Sequence, residues 1–465
     1  MHGYHPWAED AEIYLPGVEK ILNPQLFPVG AAFFESHARL TLFPNLLAAL
    51  IKITHLPLET VLFAVHAISI FLLLLACWEL SGRCFPDAKA RWAGVALIAA
   101  LLTLPVAGTA LYLMDQYVNP RNLSAFAVIF AIDRVVGRKY LQAFLFFALA
   151  AAIHPFMSVF ALFYSMVFVF LRLRAVGLAH FALLLPFGIT FDAPTKAYHE
   201  AALLHPFHYL LRWQWYEWLG IVGPLAILWW FSRLARSRKW QNLDLLCRAL
   251  IPYAVVATAA ALALSIPARW ESLARLQPMR SLYILYLLLV LFGGGFLAEY
   301  VLKNRVWRWL MLFVPLCAGM FLAQRALFPA SAHIEWPGSA PRNPWVRTFL
   351  WIREHTPVNA VFALDPSYMN IDGEDANGFR AAAQRSRLAD AGKDSGAVSM
   401  FPPLAEQWLR QVHAAAGWKQ FRTADFQRLR EAYGVDWLVI EQPGAGVVDC
   451  PYRNSVVLVC RNPAR

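Results

Sequence analysis

Charge is what this sequence has least of. Asp, Glu, Lys and Arg make up 15% of its 465 residues, against about 25% in an ordinary soluble domain. With 59% of residues apolar or aromatic, this scarcity excludes both a typical cytosolic enzyme and a disordered chain. Cysteine is sparse as well: there are six, with no CxxC and no Cys/His spacing of a zinc site. Internal repeats and low-complexity tracts are lacking. Met1–Trp7 carries neither the basic nor the apolar region of an export signal. The net charge of +11 is therefore read as a determinant of membrane topology, and no nucleic-acid partner is expected.

The charge that is present is unevenly spread. Residues 342–465 hold 28 of the 71 charged side chains, a density of about 23% that is close to the soluble norm. The first 341 residues are far poorer. Ten apolar runs there are long enough to cross, or nearly cross, a bilayer core of about 30 Å. They are Leu56–Gly82, Trp92–Tyr112, Arg121–Gly137, Tyr140–Ile153, Phe156–Leu171, Val176–Phe191, Leu219–Leu234, Cys247–Ile266, Ser281–Leu302 and Val306–Phe328. The expected fold is mainly α: a polytopic helical membrane bundle of about ten spans or half-spans with a small α/β domain after it. Residues 1–328 form the membrane part, opening with an acidic loop (1–36). Residues 329–344 are a Pro-rich linker, and 345–465 are the α/β domain.

One set of alternate junctions holds 16 basic residues, among them Arg83, Arg138, Arg172, Arg236 and Arg305; the opposite set holds 6. Basic loops stay in the cytoplasm, which puts the N-terminal segment and the C-terminal domain outside. Nothing in Met1–Trp7 exports Glu9–Ser36, so an upstream span of about 20 apolar residues is expected. Thr41–Thr54, apolar but short and holding Pro44, is read as a half-inserted or interfacial helix. In the C-terminal part the pattern predicts helices Trp345–His355, Leu404–Ala415 and Ala424–Tyr433 and strands Ala360–Asp365, Trp437–Glu441 and Ser455–Cys460. An irregular polar stretch runs to about Ser399, and the domain is expected to have its own core. Cys450 and Cys460 flank a hairpin on the oxidising side, where a bridge and free thiols are both compatible with the sequence.

Polar residues on the outer face are the candidate chemistry. Glu9, Asp10 and Glu12 crowd the start of an amphipathic helix. Beside a low-dielectric surface such acids suit a general base or a hard-metal ligand; they equally suit helix N-capping. Asp115 and Arg121 share a short outer loop, where they would hold a metal and a phosphate or pair with each other. His154–Pro155 breaks an apolar double span, either as a polar site or to satisfy freed backbone groups. His199, His205 and His208 follow no zinc spacing, and their aromatic surroundings suit a helix that meets lipid. Arg269, Arg275 and Arg280 sit outside against the positive-inside trend and suit a phosphate. Arg380, Arg385 and Arg387 face either that site or solvent. Asp133 and Arg134 are expected to pair.

These features together resemble the GT-C superfamily of polytopic membrane glycosyltransferases, in its poorly characterised bacterial branch. The residues that carry the likeness are Ala8–Pro16, Met114–Leu123, His154–Pro155–Phe156, Trp351–Pro357, Phe379–Arg380 and Tyr433–Val439, which span most of the chain. The resemblance implies transfer of a sugar from a polyprenyl-phosphate donor at the outer face of a bacterial cytoplasmic membrane. It implies an essential acid at Asp10 or its neighbour Glu9, and an assisting or metal-binding acid at Asp115. Substrate would be bound by Asp115, Arg121, His154, Arg269, Arg280 and Arg380. The cofactor it implies is a divalent cation, Mg or Mn, on Asp10 and Asp115; its partners are membrane lipid and the lipid-linked donor. The chain departs from the family in lacking its first span and a two-acid metal motif after the second. Two other readings fit the same composition: a non-catalytic membrane scaffold, and a lipid or polysaccharide transporter.

Overall fold

Apolar stretches in lipid have one economical solution, a helix that satisfies its own backbone hydrogen bonds. The computed structural model describes residues 1–173, 194–266, 268–371, 373–444 and 449–463. The expected span Val176–Phe191, with Arg174 and Asp192 beside it, lies outside the described residues. Among these, three short helices come first: α1 (Ala11–Leu22), α2 (Ala32–Ala38) and α3 (Phe43–Thr54). The bundle follows: α4 (Leu58–Cys84), α5 (Ala88–Ala100), α6 (Pro120–Val136), α7 (Tyr140–Ile153), α8 (Pro155–Leu173), α9 (Lys196–Leu203), α10 (Trp215–Ser237), α11 (Gln241–Ser265), α12 (Leu282–Leu297) and α13 (Val306–Leu327). Among the described residues, six helical stretches are long and apolar enough to cross a membrane: α4, α8, α10, α11, Trp270–Leu302 and α13. The chain is an integral membrane protein, mainly α, with a small C-terminal α/β domain.

Local chemistry sets the helix starts. Asn119 accepts from the Asn122 N–H at 2.9 Å just before Pro120, and a capping box joins Gln214 to Glu217 at the head of α10. Small residues let α5 and α12 touch backbone to backbone: a Cβ on Gly294 would come within 2.5 Å of the Ala93 carbonyl oxygen. At one end of the bundle the basic junctions interlock. Arg83 and Arg134 both pair with Asp133, Arg172 donates to the Val136 carbonyl at 2.9 Å, and Asn242 donates to the Arg83 carbonyl at 3.1 Å. Asp133 therefore holds two arginines, one more than expected.

The run Trp92–Tyr112 is not one helix. α5 ends at Ala100, and the chain then folds back on itself, with Val106 N–H donating to Leu111 at 2.8 Å and Leu113 N–H to Leu104 at 3.1 Å. Pro105 has no amide hydrogen to continue a helix, and this turn becomes one wall of a cavity.

The C-terminal part contains α14 (Pro344–His355), α15 (Phe379–Ala383), α16 (Lys393–Met400), α17 (Ala405–Ala414) and α18 (Thr423–Tyr433). Its strands are β1 (Val361–Ala363), β2 (Ser386–Arg387), β3 (Trp437–Glu441), β4 (Tyr452–Arg453) and β5 (Val457–Arg461), in the order β2-β1-β3-β5-β4. β1 runs parallel to β2 and β3, whereas β5 is antiparallel to β3 and β4. A disulfide joins Cys450 to Cys460.

One expectation needs correction. The stretch up to Ser399 is not irregular, since it holds α15, β2 and α16. Its polar residues pair with one another and with α1, a pairing invisible to hydrophobic periodicity. One face of the sheet keeps a core of its own, with Val361, Phe426, Leu429, Leu438 and Cys460; on the other, Trp7, Leu15, Val18, Phe43 and Leu47 share one apolar cluster with Trp345, Phe349, Phe362 and Phe379. In α9, Ala197, Ala201 and Ala202 are small enough to pack against Ala397, Ala405 and Trp408 of the C-terminal domain, while Leu203 and the following Leu204 are exposed.

Candidate functional site

At the bundle end opposite the basic junctions lies a cavity of about 730 Å³. Its walls come from the start of α1, the 105–121 segment, the 204–208 turn, Gln277 and Arg280, and residues 367–400 of the C-terminal domain. Glu9, Asp10, Asp115, Arg121 and Arg280 all line it.

The first-loop acids are placed by strand-like pairing of the N-terminal segment. His5 N–H donates to Gln116, Glu9 N–H to Ala376 and Gly378 N–H to Trp7, each at 2.7 Å. Glu9 has φ +54, a left-handed conformation rare for a residue with a side chain. That kink turns residues 9 and 10 into the cavity just before α1 begins. Asp10 occupies the N-cap position, yet its carboxylate makes no capping bond. It meets Lys393 Nζ at 2.9 Å, and the same ammonium also bonds Glu9. Burial alone would raise the Asp10 pKa. Lys393, Arg121 and Arg280 outweigh it and hold the carboxyl below its ordinary range. Burial works against the Lys393 charge too, but Asp10 and Glu9 raise its pKa.

The third acid behaves differently. Glu12 is fully buried and reaches into the C-terminal domain. Its Oε1 accepts from Arg387 Nε at 2.9 Å, Arg387 Nη2 at 2.7 Å and Arg380 Nη1 at 3.3 Å; its Oε2 accepts from the Arg380 backbone N–H at 2.7 Å. Arg380 also forks onto Asp394 at 2.8 and 2.9 Å, and Arg387 pairs with Asp390. Both arginines are 1% exposed. Arg380 thus lies outside the cavity wall, and neither it nor Arg387 faces solvent. Arg385 is likewise internal, donating to the Arg353 and Thr356 carbonyls at 2.7 Å.

In the second loop Asp115 accepts from Asn119 at 2.6 Å and pairs with Arg121. Burial raises the Asp115 pKa, with Arg121 and Asn119 opposing it. His154 Nδ1 accepts from the Met157 N–H at 3.3 Å, so it caps α8, and it does not line the cavity. Arg280 follows a left-handed Gln277 (φ +50) and lies over the Phe207 ring at 5.7 Å. Among the described residues it forms no ion pair, and its Nε has no hydrogen-bond partner. The Arg269 side chain lies outside the described residues. Of the histidine loop, His205 and His208 line the cavity and His205 bonds Ser395 at 2.9 Å, whereas His199 pairs with Glu271.

The carboxylates do not fit a divalent ion as they stand. Lys393 bridges Glu9 and Asp10 where a bridging ion would sit, and Asp115 is held by Arg121. Among the described residues no cluster of three His, Cys, Asp or Glu is close enough to share a metal. Sequence reasoning missed Lys393, His37 and Glu374, all of which line the same cavity. The available signal was the Lys393–Asp394 pair inside a tract read as irregular.

No family model matches the chain, and no curated protein does. Among solved structures, the chain is similar to an archaeal oligosaccharyltransferase, AglB from Archaeoglobus fulgidus, in complex with an inhibitory peptide and a dolichol-phosphate. The identity is 12% and the TM-score 0.44. The match covers 94% of this chain and 66% of that one, so the chain spans just under two thirds of its length.

Proposed function

We propose that this protein is a membrane glycosyltransferase of the GT-C type. It moves a sugar from a polyprenyl-phosphate donor to an acceptor on the extracytoplasmic face of a bacterial cytoplasmic membrane. The observation that carries the reading is the cavity itself, which gathers a carboxylate kept ionised (Asp10) and a guanidinium without an ion partner (Arg280) at one end of the bundle. Transfer needs both. Asp10, or Glu9 beside it, takes the proton from the acceptor hydroxyl as its oxygen attacks the anomeric carbon. Arg280, with Arg121 and Arg269, receives the charge that grows on the phosphate as the glycosidic bond breaks. Asp115 orients Arg121, and the apolar span surfaces hold the isoprenoid so that lipid binding orients the sugar. Arg380 acts from outside the cavity, by holding α1 through Glu12.

The scaffold reading also has one observation in its favour: Asp10 and Asp115 are each already paired with a cation. The two part on one assay. Membranes carrying wild type or Asp10→Asn are incubated with radiolabelled polyprenyl-phosphate sugars. Transfer by wild type and its loss in a variant that still folds and inserts supports the enzyme; turnover retained by Asp10→Asn removes the base assignment.

A further inference from the structure

The cavity holds a contradiction that points to a role for Lys393. A carboxylate bonded to an ammonium at 2.9 Å is a poor proton acceptor, so the Asp10 seen here is blocked as a base. Among the described residues, Lys393 is also the one cavity cation in contact with Glu9 and Asp10 alike. Its side chain is 20% exposed and lines the cavity, so it has room to turn. Its backbone does not. The next residue, Asp394, is tied through Arg380 and Arg387 to Glu12, two residues along α1 from Asp10. The backbone is anchored, and the side chain borders open cavity space.

We infer that Lys393 is shared between the base and the donor: in the empty site it latches Glu9 and Asp10, and on donor binding it transfers to the phosphate and frees the Asp10 carboxylate. This rests on the glycosyltransferase reading above. A phosphate competes well for the ammonium, because it offers several charged acceptor oxygens at hydrogen-bond distance. Once the ammonium has moved, the acceptor O–H bond breaks with its proton passing to Asp10. The acceptor oxygen bonds to the anomeric carbon, and the electron pair of the broken C–O bond leaves on the phosphate, which Lys393 now partners. No further reactant is needed. The latch keeps the base silent until the donor arrives, which limits transfer to water.

The test is the pH dependence of initial rates in wild type, with donor and acceptor varied, alongside Lys393→Gln and Lys393→Arg. The groups facing Asp10 are Glu9 and Tyr14, His37, Asp115, Tyr117 and Arg121, His205, Arg280 and Lys393. All but Lys393 are common to the two enzymes. The acid limb of kcat/KM reports the free enzyme and that of kcat the bound complex. In wild type the kcat limb should lie above the kcat/KM limb, because Asp10 loses its ammonium on binding. In Lys393→Gln the kcat/KM limb should rise toward the kcat limb, because the free carboxyl has no ammonium to lose, and the donor KM should rise about 10- to 100-fold, the usual loss for a charged hydrogen bond. Lys393→Arg, which keeps the charge, should recover most of the donor KM.

Coincident limbs in wild type overturn the latch whatever the variants do, as does an unchanged donor KM in Lys393→Gln. If Asp10→Asn is inactive while the limbs coincide, the base assignment stands and only the latch fails. If Asp10→Asn is active, the reading beneath it fails.

Discussion

The buried cluster that ties α1 to the C-terminal domain makes two similar-looking substitutions differ sharply. Three carboxylates (Glu12, Asp390 and Asp394) meet two guanidiniums (Arg380 and Arg387), all 0 to 1% exposed. Arg387→Met removes the guanidinium and leaves three buried carboxylates with one partner. Breaking a buried pair in this way costs about 3–5 kcal/mol, because the uncompensated charge stays inside. Glu12→Gln leaves two carboxylates with two guanidiniums, so the charge balance improves. What it loses is geometry. The new amide must present its NH2 either to the Arg380 backbone N–H, now bonded at 2.7 Å, or to the two arginines. The better orientation keeps the carbonyl on the arginines and leaves the Arg380 backbone N–H unpaired, at about 1–3 kcal/mol. Arg387→Met should therefore be the worse of the two, by about 2 kcal/mol. Thermal or denaturant unfolding of detergent-solubilised protein, followed by tryptophan fluorescence and by protease cleavage in the 329–344 linker, reads the difference. Equal costs, or a milder Arg387→Met, would refute the charge-balance reasoning.

Two further outcomes follow from the same region. Burial lowers the pKa of His37 and of His205 to about 4, with Arg280 adding in both and Lys393 in His205. The unfolded chain, with histidines at the ordinary value of 6.5, then binds more protons than the native state between those values. Stability is fully present above pH 6.5 and is lost as pH falls toward 4; His37→Gln with His205→Gln should flatten that slope in a melting-temperature titration. Gly378→Ala should destabilise the domain contact by about 1–3 kcal/mol, since its Cβ would stand 2.8 Å from Glu12 Oε2 and 3.0 Å from the Glu12 Cα; an unchanged melting temperature would show that α1 shifts freely.

The membrane spans were legible because hydrophobicity over about 20 residues is a local property. The helices and strands at both ends of the C-terminal domain were legible for the same reason: α14, α17, α18, β3 and β5 follow simple periodicities. The middle of that domain was not. Arg380 and Arg387 fit the site or solvent equally well by sequence, but both bond Glu12 in α1, 368 and 375 residues away. The acids at 9, 10 and 12 stand out in the sequence as a group and could not be ranked. Spacing alone allowed all three to cap a helix, and it could not tell that one would enter a core while two faced a cavity.

By itself the sequence determined that this chain lives in a membrane, which junctions carry its basic residues, and which few loop charges defy the general scarcity. Those are one-dimensional quantities, set by composition and by order along the chain. Which charge meets which was decided only by tertiary structure, because an ion pair depends on distances between segments that the backbone brings together. The left-handed turn at Glu9 and the shared core of α1, α3 and the sheet place Asp10 against Lys393 and Glu12 against Arg380 and Arg387. Two neighbouring carboxylates thereby acquire opposite fates, one lining a cavity and one buried as a structural anchor.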